Sequence, residues 1–368
     1  MAFSVDGSSR EAIQAIQFEL WPDCKNGCKF CYLNGTRRVT TLAEKRENLL
    51  DALRTLKDDK LMKDYNAVGL IGGDFFQGQL HGIENEWSHL IDKIKELLET
   101  KKIKEVWIAT SLLNMIDSDL IGTFYKLSEV ELDSDQRITL CTSYDTLGRF
   151  RYHIDIETAK QSEIEEAMRE LGCETIEELK EILSQPNPDE IELWLHGINL
   201  VKENYSNVTI HVQVILTEDL IEKMIENPDY FDFITDLGCI IDFRYPSITR
   251  ADCPTATVIE DYRSLLLAKH DEFPPKFFIE SRATFLRFLN VLMNKYGLEK
   301  VENLIHQPEM RSRRLKIYVD NAELEDRWND ERDRYLECGH LIDGLCYIDT
   351  DDKCIYCDVE KFIESQKN

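Results

Sequence analysis

The sequence predicts an α/β protein, a partial (β/α)6 TIM-like barrel with a helical insertion and a small Cys-rich tail at its C-terminal end. Three observations carry this reading. Short β-rich apolar runs alternate with helical patterns over the first two-thirds of the chain, which implies parallel strands joined by helical crossovers. Six such units occur, two short of an eightfold barrel. Cysteines gather in two tight groups, one near each end.

The strand candidates are Ile13–Leu20, Ala67–Ile71, Glu105–Thr110, Arg137–Thr142, Thr209–Leu216 and Cys239–Phe243. Between the first two, Thr41-Leu-Ala-Glu44 is a capping box opening a helix to about Leu56. Trp87, Leu90, Ile91, Ile94, Leu97 and Leu98 repeat at the spacing of one buried helix face. A long acidic helical insertion is expected at about 155–204, with Thr175-Ile-Glu-Glu178 capping one helix and Pro186-Asn-Pro188 breaking the chain before the next. Helices follow near Val258–Lys269 and Ser281–Tyr296, separated by Pro274-Pro275, the second ended by Gly297. The division is thus a barrel domain over 1–250 containing the insertion, a helical extension over 251–335, and the Cys-rich tail over 336–368.

At 368 residues and 43% hydrophobic, the chain buries a substantial core. No run approaches the roughly 20 apolar residues of a membrane span, and the first residues lack the pattern of a secretory signal. A cytoplasmic protein without membrane association is expected. A net charge of −26 argues against broad nucleic-acid binding. The short run Arg311-Ser-Arg-Arg-Leu-Lys316 reads as a solvated face.

Eleven cysteines, an odd number in a chain read as cytosolic, do not suggest a disulfide framework. Cys141 and Cys239 lie in apolar runs and read as small buried hydrophobes. Cys173 and Cys253 are also scattered. The seven clustered ones point to metal.

Cys24-Lys-Asn-Gly-Cys28-Lys-Phe-Cys31 places three thiols directly after the first strand, and active-site loops of a parallel barrel gather at that end of the strands. Structural zinc takes four protein ligands, whereas a 4Fe-4S cluster held by three leaves one iron open. Gly27 lets the loop turn back. Zinc with a distant fourth ligand, or thiols that bind nothing, are the competing readings.

The spacing C-x3-C-x2-C, with aromatic Phe30 before the last cysteine, resembles the signature loop of the radical S-adenosylmethionine superfamily. The resemblance covers roughly residues 13–250. It implies that Cys24, Cys28 and Cys31 hold a 4Fe-4S cluster, whose open iron chelates the amino and carboxylate groups of S-adenosylmethionine, with Phe30 near the adenine. Gly72-Gly73-Asp74 is similar to the family's Gly-Gly-Glu motif for the ligand's ammonium, with Asp one methylene shorter than Glu. Ser143 and Asp145 resemble the Ser-x-Asp segment that meets the ribose. Ser111, following Thr110, Gln213 and Arg244 are further candidates for the cavity, the arginine as a carboxylate grip. The family's opening step is reductive cleavage of S-adenosylmethionine to a 5'-deoxyadenosyl radical, which takes a hydrogen atom from the substrate. An external one-electron reductant such as a flavodoxin or ferredoxin is implied. No residue is assigned as a conventional acid or base.

The second group comprises Cys338, Cys346, Cys354 and Cys357, with His340 as a substitute ligand. Four cysteines complete a zinc shell or carry an auxiliary iron–sulfur cluster, so the tail is read as metal-binding, with zinc slightly favoured. A peptide or protein substrate, or a small molecule, is the first reading of the substrate class. A nucleoside, nucleotide or nucleic-acid base is the second. A non-catalytic zinc-binding interaction protein is the alternative outside enzymes.

Overall fold

Six strands, β1 Ala15–Glu19, β2 Ala67–Ile71, β3 Glu105–Ala109, β4 Arg137–Ser143, β5 Val208–Ile215 and β6 Ile240–Arg244, form one all-parallel sheet. Its spatial order follows the chain from β1 to β6 without a reversal. That order is barrel-type winding; a doubly wound sheet reverses at a switch point. The computed structural model describes residues 15–21, 40–63, 65–71, 73–77, 80–115, 118, 120–144, 156, 159–183, 188–244, 279, 281–305, 341–342, 345–346 and 355–367. Each expected strand is present, with ends shifted by two residues or fewer. Ile13, the expected Val258–Lys269 helix, Cys253 and the Arg311–Lys316 run lie outside the described residues.

Helices α1 Leu42–Lys57, α2 Asp59–Met62, α3 Glu84–Glu99 and α4 Ile121–Ser128 accompany the first four strands. The α1 capping box forms as read: Glu44 N–H donates to Thr41 Oγ1 at 3.2 Å, and Thr41 N–H donates to Glu44 Oε2 at 2.8 Å. Helices α5 Gln161–Leu171, α6 Ile176–Leu183 and α7 Pro188–Asn204 lie between β4 and β5. These three are not one unit. Ile164, Ala167 and Leu179 make a small core of their own, whereas Trp194, Ile198 and Val201 of α7 join the main core. The α7 helix is therefore the β4–β5 crossover, and α5 with α6 is the added piece.

After β5 come α8 Glu218–Glu226 and α9 Asp232–Asp236, and after β6 come α10 Arg282–Tyr296 and α11 Leu298–Ile305. Ser281 caps α10, accepting from Thr284 N–H at 3.2 Å, and Gly297 ends it at φ +87°. Ser281 N–H also donates to Glu218 Oε2 at 3.0 Å, joining α10 to the first turn of α8. Near the C-terminus a two-stranded antiparallel pair, β7 Leu341–Ile342 and β8 Leu345–Cys346, precedes α12 Ile355–Lys367. Val359, Phe362 and Ile363 of α12 are buried in the main core against α10 and α11. Among the described residues, no helix is long and apolar enough to cross a membrane.

The two faces of the sheet differ chemically. Ile16, Val68, Val106, Ile138, Ile210 and Ile241 stand for the face that packs under the helices in one apolar core. The opposite face carries Gln17, Trp107, Thr139, Ser143, Gln213 and Asp242 at the alternate positions. A parallel sheet packed by apolar groups on both faces reads as an unbroken apolar run. This alternation marks one face as polar.

Candidate functional site

The C-terminal edge of the sheet is organised by Asp74, three residues after β2 and 1% exposed. Thr110 Oγ1 donates to Asp74 Oδ1 at 2.7 Å and Ser111 N–H to the same oxygen at 3.2 Å. The Ser111 hydroxyl donates to Oδ2, and Asn114 Nδ2 donates there at 3.3 Å. An ionised carboxylate offers about four acceptor sites, so the loop after β3 takes up most of this one. Asp74 thereby fixes the β2 and β3 loops to each other.

That β3 loop is further constrained from inside and from behind. Thr110 Oγ1 accepts from Leu112 N–H at 3.0 Å, and Ser111 Oγ accepts from Leu113 N–H at 3.3 Å. Leu112 sits at φ +63° with its side chain buried, a conformation that costs a non-glycine residue energy and persists only where its surroundings dictate it. Gly197 of α7 lets the loop in: a Cβ there would stand 3.0 Å from Leu112 O and 3.1 Å from Leu112 Cβ.

The chain leaves β1 through buried Leu20 and Trp21. Trp21 packs on Phe75 and Trp87, with centroids 6.2 and 5.5 Å away, and Asn48 Nδ2 of α1 donates to Leu20 O at 2.9 Å. The residue following Asp74 thus touches the residue from which the chain enters segment 22–39. The chain is described again at buried Thr40, before the α1 cap.

Lines of register build the polar face in layers. Gln17, Gly69, Trp107, Thr139 and Thr209 form one line. Trp107 lies so close over Gly69 that a Cβ there would stand 2.6 Å from its indole. The next line is Ala109, Cys141, His211 and Ile240, and the third is Ser143, Gln213 and Asp242. His211 Nδ1 lies 2.9 Å from Asp242 Oδ2. At the other end of the strands, Arg137 pairs with buried Glu105 through Nε at 3.1 Å and Nη2 at 3.2 Å, and Thr139 Oγ1 donates to Glu105 Oε1 at 3.0 Å. This closed ion pair is a structural floor.

The structure thus brings together Asp74 and Ser111, and it pairs Ser143 with Gln213. Gly73 lies beside Asp74 on the same edge. Cys24, Cys28, Phe30, Cys31, Gly72, Asp145, Cys338, His340 and Cys354 lie outside the described residues; Arg244, Cys346 and Cys357 are described in backbone only. Among the described residues there is no group of three or more His, Cys, Asp or Glu side chains arranged for a metal. Cys239 is buried, as its apolar run implied, and burial pushes its thiol up to about 11. Cys141 is only half-buried, because its position on β4 faces the polar side.

Sequence reasoning missed Asn114, Trp194, Gly197, His211 and Asp242 as parts of this edge. Trp194 Nε1 donates to Thr142 Oγ1 at 3.0 Å, joining α7 to the end of β4. The one local signal was polarity: His211 and Asp242 are polar residues within strands whose other alternate face is apolar.

No protein-family model matches the chain, and no curated protein matches it. Among solved structures it is similar to native anSMEcpe with bound AdoMet, at 12% identity and TM-score 0.48, covering 96% of each chain. It is similar to hexahistidine-tagged anSMEcpe with bound AdoMet at 13% identity and TM-score 0.43, spanning 80% of this chain and 60% of that one. It is also similar to methylornithine synthase (PylB) at 12% identity and TM-score 0.40, covering 97% of this chain and 82% of that one.

Proposed function

We propose that this chain is a radical S-adenosylmethionine enzyme, with Cys24, Cys28 and Cys31 holding a 4Fe-4S cluster. One observation carries the reading. The C-x3-C-x2-C segment begins three residues after Trp21 in sequence, and the Trp21 ring packs on Phe75, the residue after Asp74. Three thiolates with no fourth nearby in sequence suit a cluster with one open iron. The groups on this edge of the sheet suit S-adenosylmethionine: Gly73 beside Asp74, a fixed polar loop, and hydroxyl and amide groups at Ser143 and Gln213.

When bound, the cluster and S-adenosylmethionine supply a one-electron cleavage and a carbon radical that takes a hydrogen atom from substrate. The chain's own residues hold and orient. Asp74 acts on the ligand mainly through the β3 loop it fixes, since that loop takes up most of its acceptor capacity. Gly72, Phe30, Asp145 and Arg244 complete the proposed cofactor contacts. A peptide, protein or small polar molecule is the proposed substrate, and a flavodoxin or ferredoxin the proposed reductant. Cys338, Cys346, Cys354 and Cys357 hold a second metal, zinc or iron–sulfur.

The test is anaerobic. The protein is reconstituted with iron and sulfide, given S-adenosylmethionine and dithionite, and 5'-deoxyadenosine is measured by mass spectrometry. Production that disappears in Cys28→Ala supports the proposal. A colourless, zinc-only protein from oxygen-free purification would overturn it in favour of a zinc-binding interaction protein.

A further inference from the structure

We infer that His211 orients the substrate, its Nε2 accepting a hydrogen bond from a hydroxyl or amine of the molecule bound on the polar face of the sheet. The inference rests on the proposed function for its choice of face and names the chemistry that the substrate presents there.

His211 is 3% exposed, yet among the described residues Nε2 has no hydrogen-bond partner. Burying an imidazole nitrogen unpaired is costly, and native structures rarely leave such a group unsatisfied without a functional reason. Its other nitrogen faces the Asp242 carboxylate, an acceptor only, so Nδ1 carries the ring proton. When the ring is neutral, that tautomer leaves the lone pair at Nε2. Asp242 is held in turn from α11: its Oδ1 lies 3.9 Å from Lys300 Nζ, which donates to Ile241 O at 2.6 Å. The tautomer is thus set by a chain of groups fixed to the fold.

Position makes the lone pair useful. His211 shares a register line with Cys141 and Ala109, and Ala109 is the residue before Thr110 and Ser111. The two side chains on this line between His211 and the Asp74-fixed loop, Cys141 and Ala109, are both small. Gln17 Oε1, in the line below, is a second buried acceptor on the same face without a partner among the described residues. Two unfilled acceptors on one face suit a ligand rich in donors.

The experiment reads the ring itself. Protein labelled with 15N-histidine and carrying its cluster is studied by long-range 1H–15N correlation at about pH 8, above the ordinary imidazole pKa, with His211→Gln assigning the resonance. We expect a protonated Nδ1 and a lone-pair Nε2. Ethanolamine should move the Nε2 resonance saturably, whereas 1,2-dimethoxyethane, which has no donor, should leave it still. In Asp242→Asn the amide donates to Nδ1 and moves the proton to Nε2, so acetate should replace ethanolamine as the responsive probe. A protonated Nε2 in the unaltered protein, or no response to ethanolamine, overturns the inference. Formation of 5'-deoxyadenosine is measured on the same sample. If it is normal while Nε2 is silent, His211 alone was misassigned; if it is absent while Nε2 responds, the radical reading alone fails.

Discussion

Four donors converge on Asp74, and all of them belong to residues 110–114, a stretch that also contains a buried leucine in a left-handed conformation. Removing one negative oxygen breaks this arrangement, because an asparagine places an NH2 where donors already point. Asp74→Asn should cost about 2–4 kcal/mol, as expected for donors left unpaired in a buried network. Chemical denaturation reads that loss, and equilibrium dialysis of the cluster-loaded protein should show S-adenosylmethionine binding weakened at least tenfold. Unchanged binding would place the ligand away from this loop. Cys239 gives a pH-dependent counterpart. Its thiol is raised from 9.0 to about 11 by burial, with the Lys202 ammonium pulling the other way. Above pH 9 the unfolded thiol releases its proton while the folded one keeps it, so the unfolded state binds fewer protons and stability falls with pH. The contribution is present below pH 9 and is lost as pH rises through about 11. Cys239→Ala should flatten the stability curve over that window by about 2 kcal/mol, measured by urea titration at stepped pH. Both residues could be named from sequence, Cys239 from its apolar run and Asp74 from its glycines. The pairing of Asp74 with Ser111 could not, since the two are 37 residues apart, nor could that of His211 with Asp242, 31 apart.

Elements were legible where local physics decides them. The Thr41 and Thr175 capping boxes, the helix opening near Ser281 and the Gly297 stop all stand where the sequence put them, because each is settled by neighbours within one turn. The α7 helix was not separable from the acidic insertion, since it opens with Asp189 and Glu190 after helices of the same composition. Its core spacing at Trp194, Ile198 and Val201 was the overlooked sign. Two helix glycines test how far tertiary contact overrides propensity. Alanine in place of a helical glycine gains about 1 kcal/mol in isolation. At exposed Gly122 on α4 a Cβ meets nothing within 4 Å, so Gly122→Ala should stabilise by up to that amount. At Gly197 the new methyl meets Leu112 backbone at 3.0 Å, and the Asp74 network holds that loop in place. Gly197→Ala should therefore destabilise by about 1 kcal/mol despite its better propensity. Thermal unfolding of the pair checks both signs, and a stabilised Gly197→Ala would show the loop to be more yielding than its hydrogen bonds indicate.

At the scale of the molecule, the six-stranded sheet was readable because β-rich runs and helical periods alternate along the chain, with one added helical piece between β4 and β5. The placement of the last helix was not: its cysteine at 357 suggested part of a separate metal-binding tail, yet its apolar face is part of the main core. That docking has a consequence for how the chain is held together. Val359, Phe362 and Ile363 contribute about 1.5–3 kcal/mol each on burial, and the Lys367–Glu302 pair at 2.6 Å is half-exposed and adds little. Bringing two separate molecules together costs about 4–15 kcal/mol before any such gain is counted. On the described residues alone this gain lies within the range of that cost, so the contact suffices for a tethered partner at millimolar effective concentration and holds a free one weakly. A protease site introduced between Ile305 and Cys338 and then cleaved should release the C-terminal fragment on a sizing column at micromolar protein. The covalent thread through that stretch, rather than the helix's own grip, is what keeps the final helix at its post.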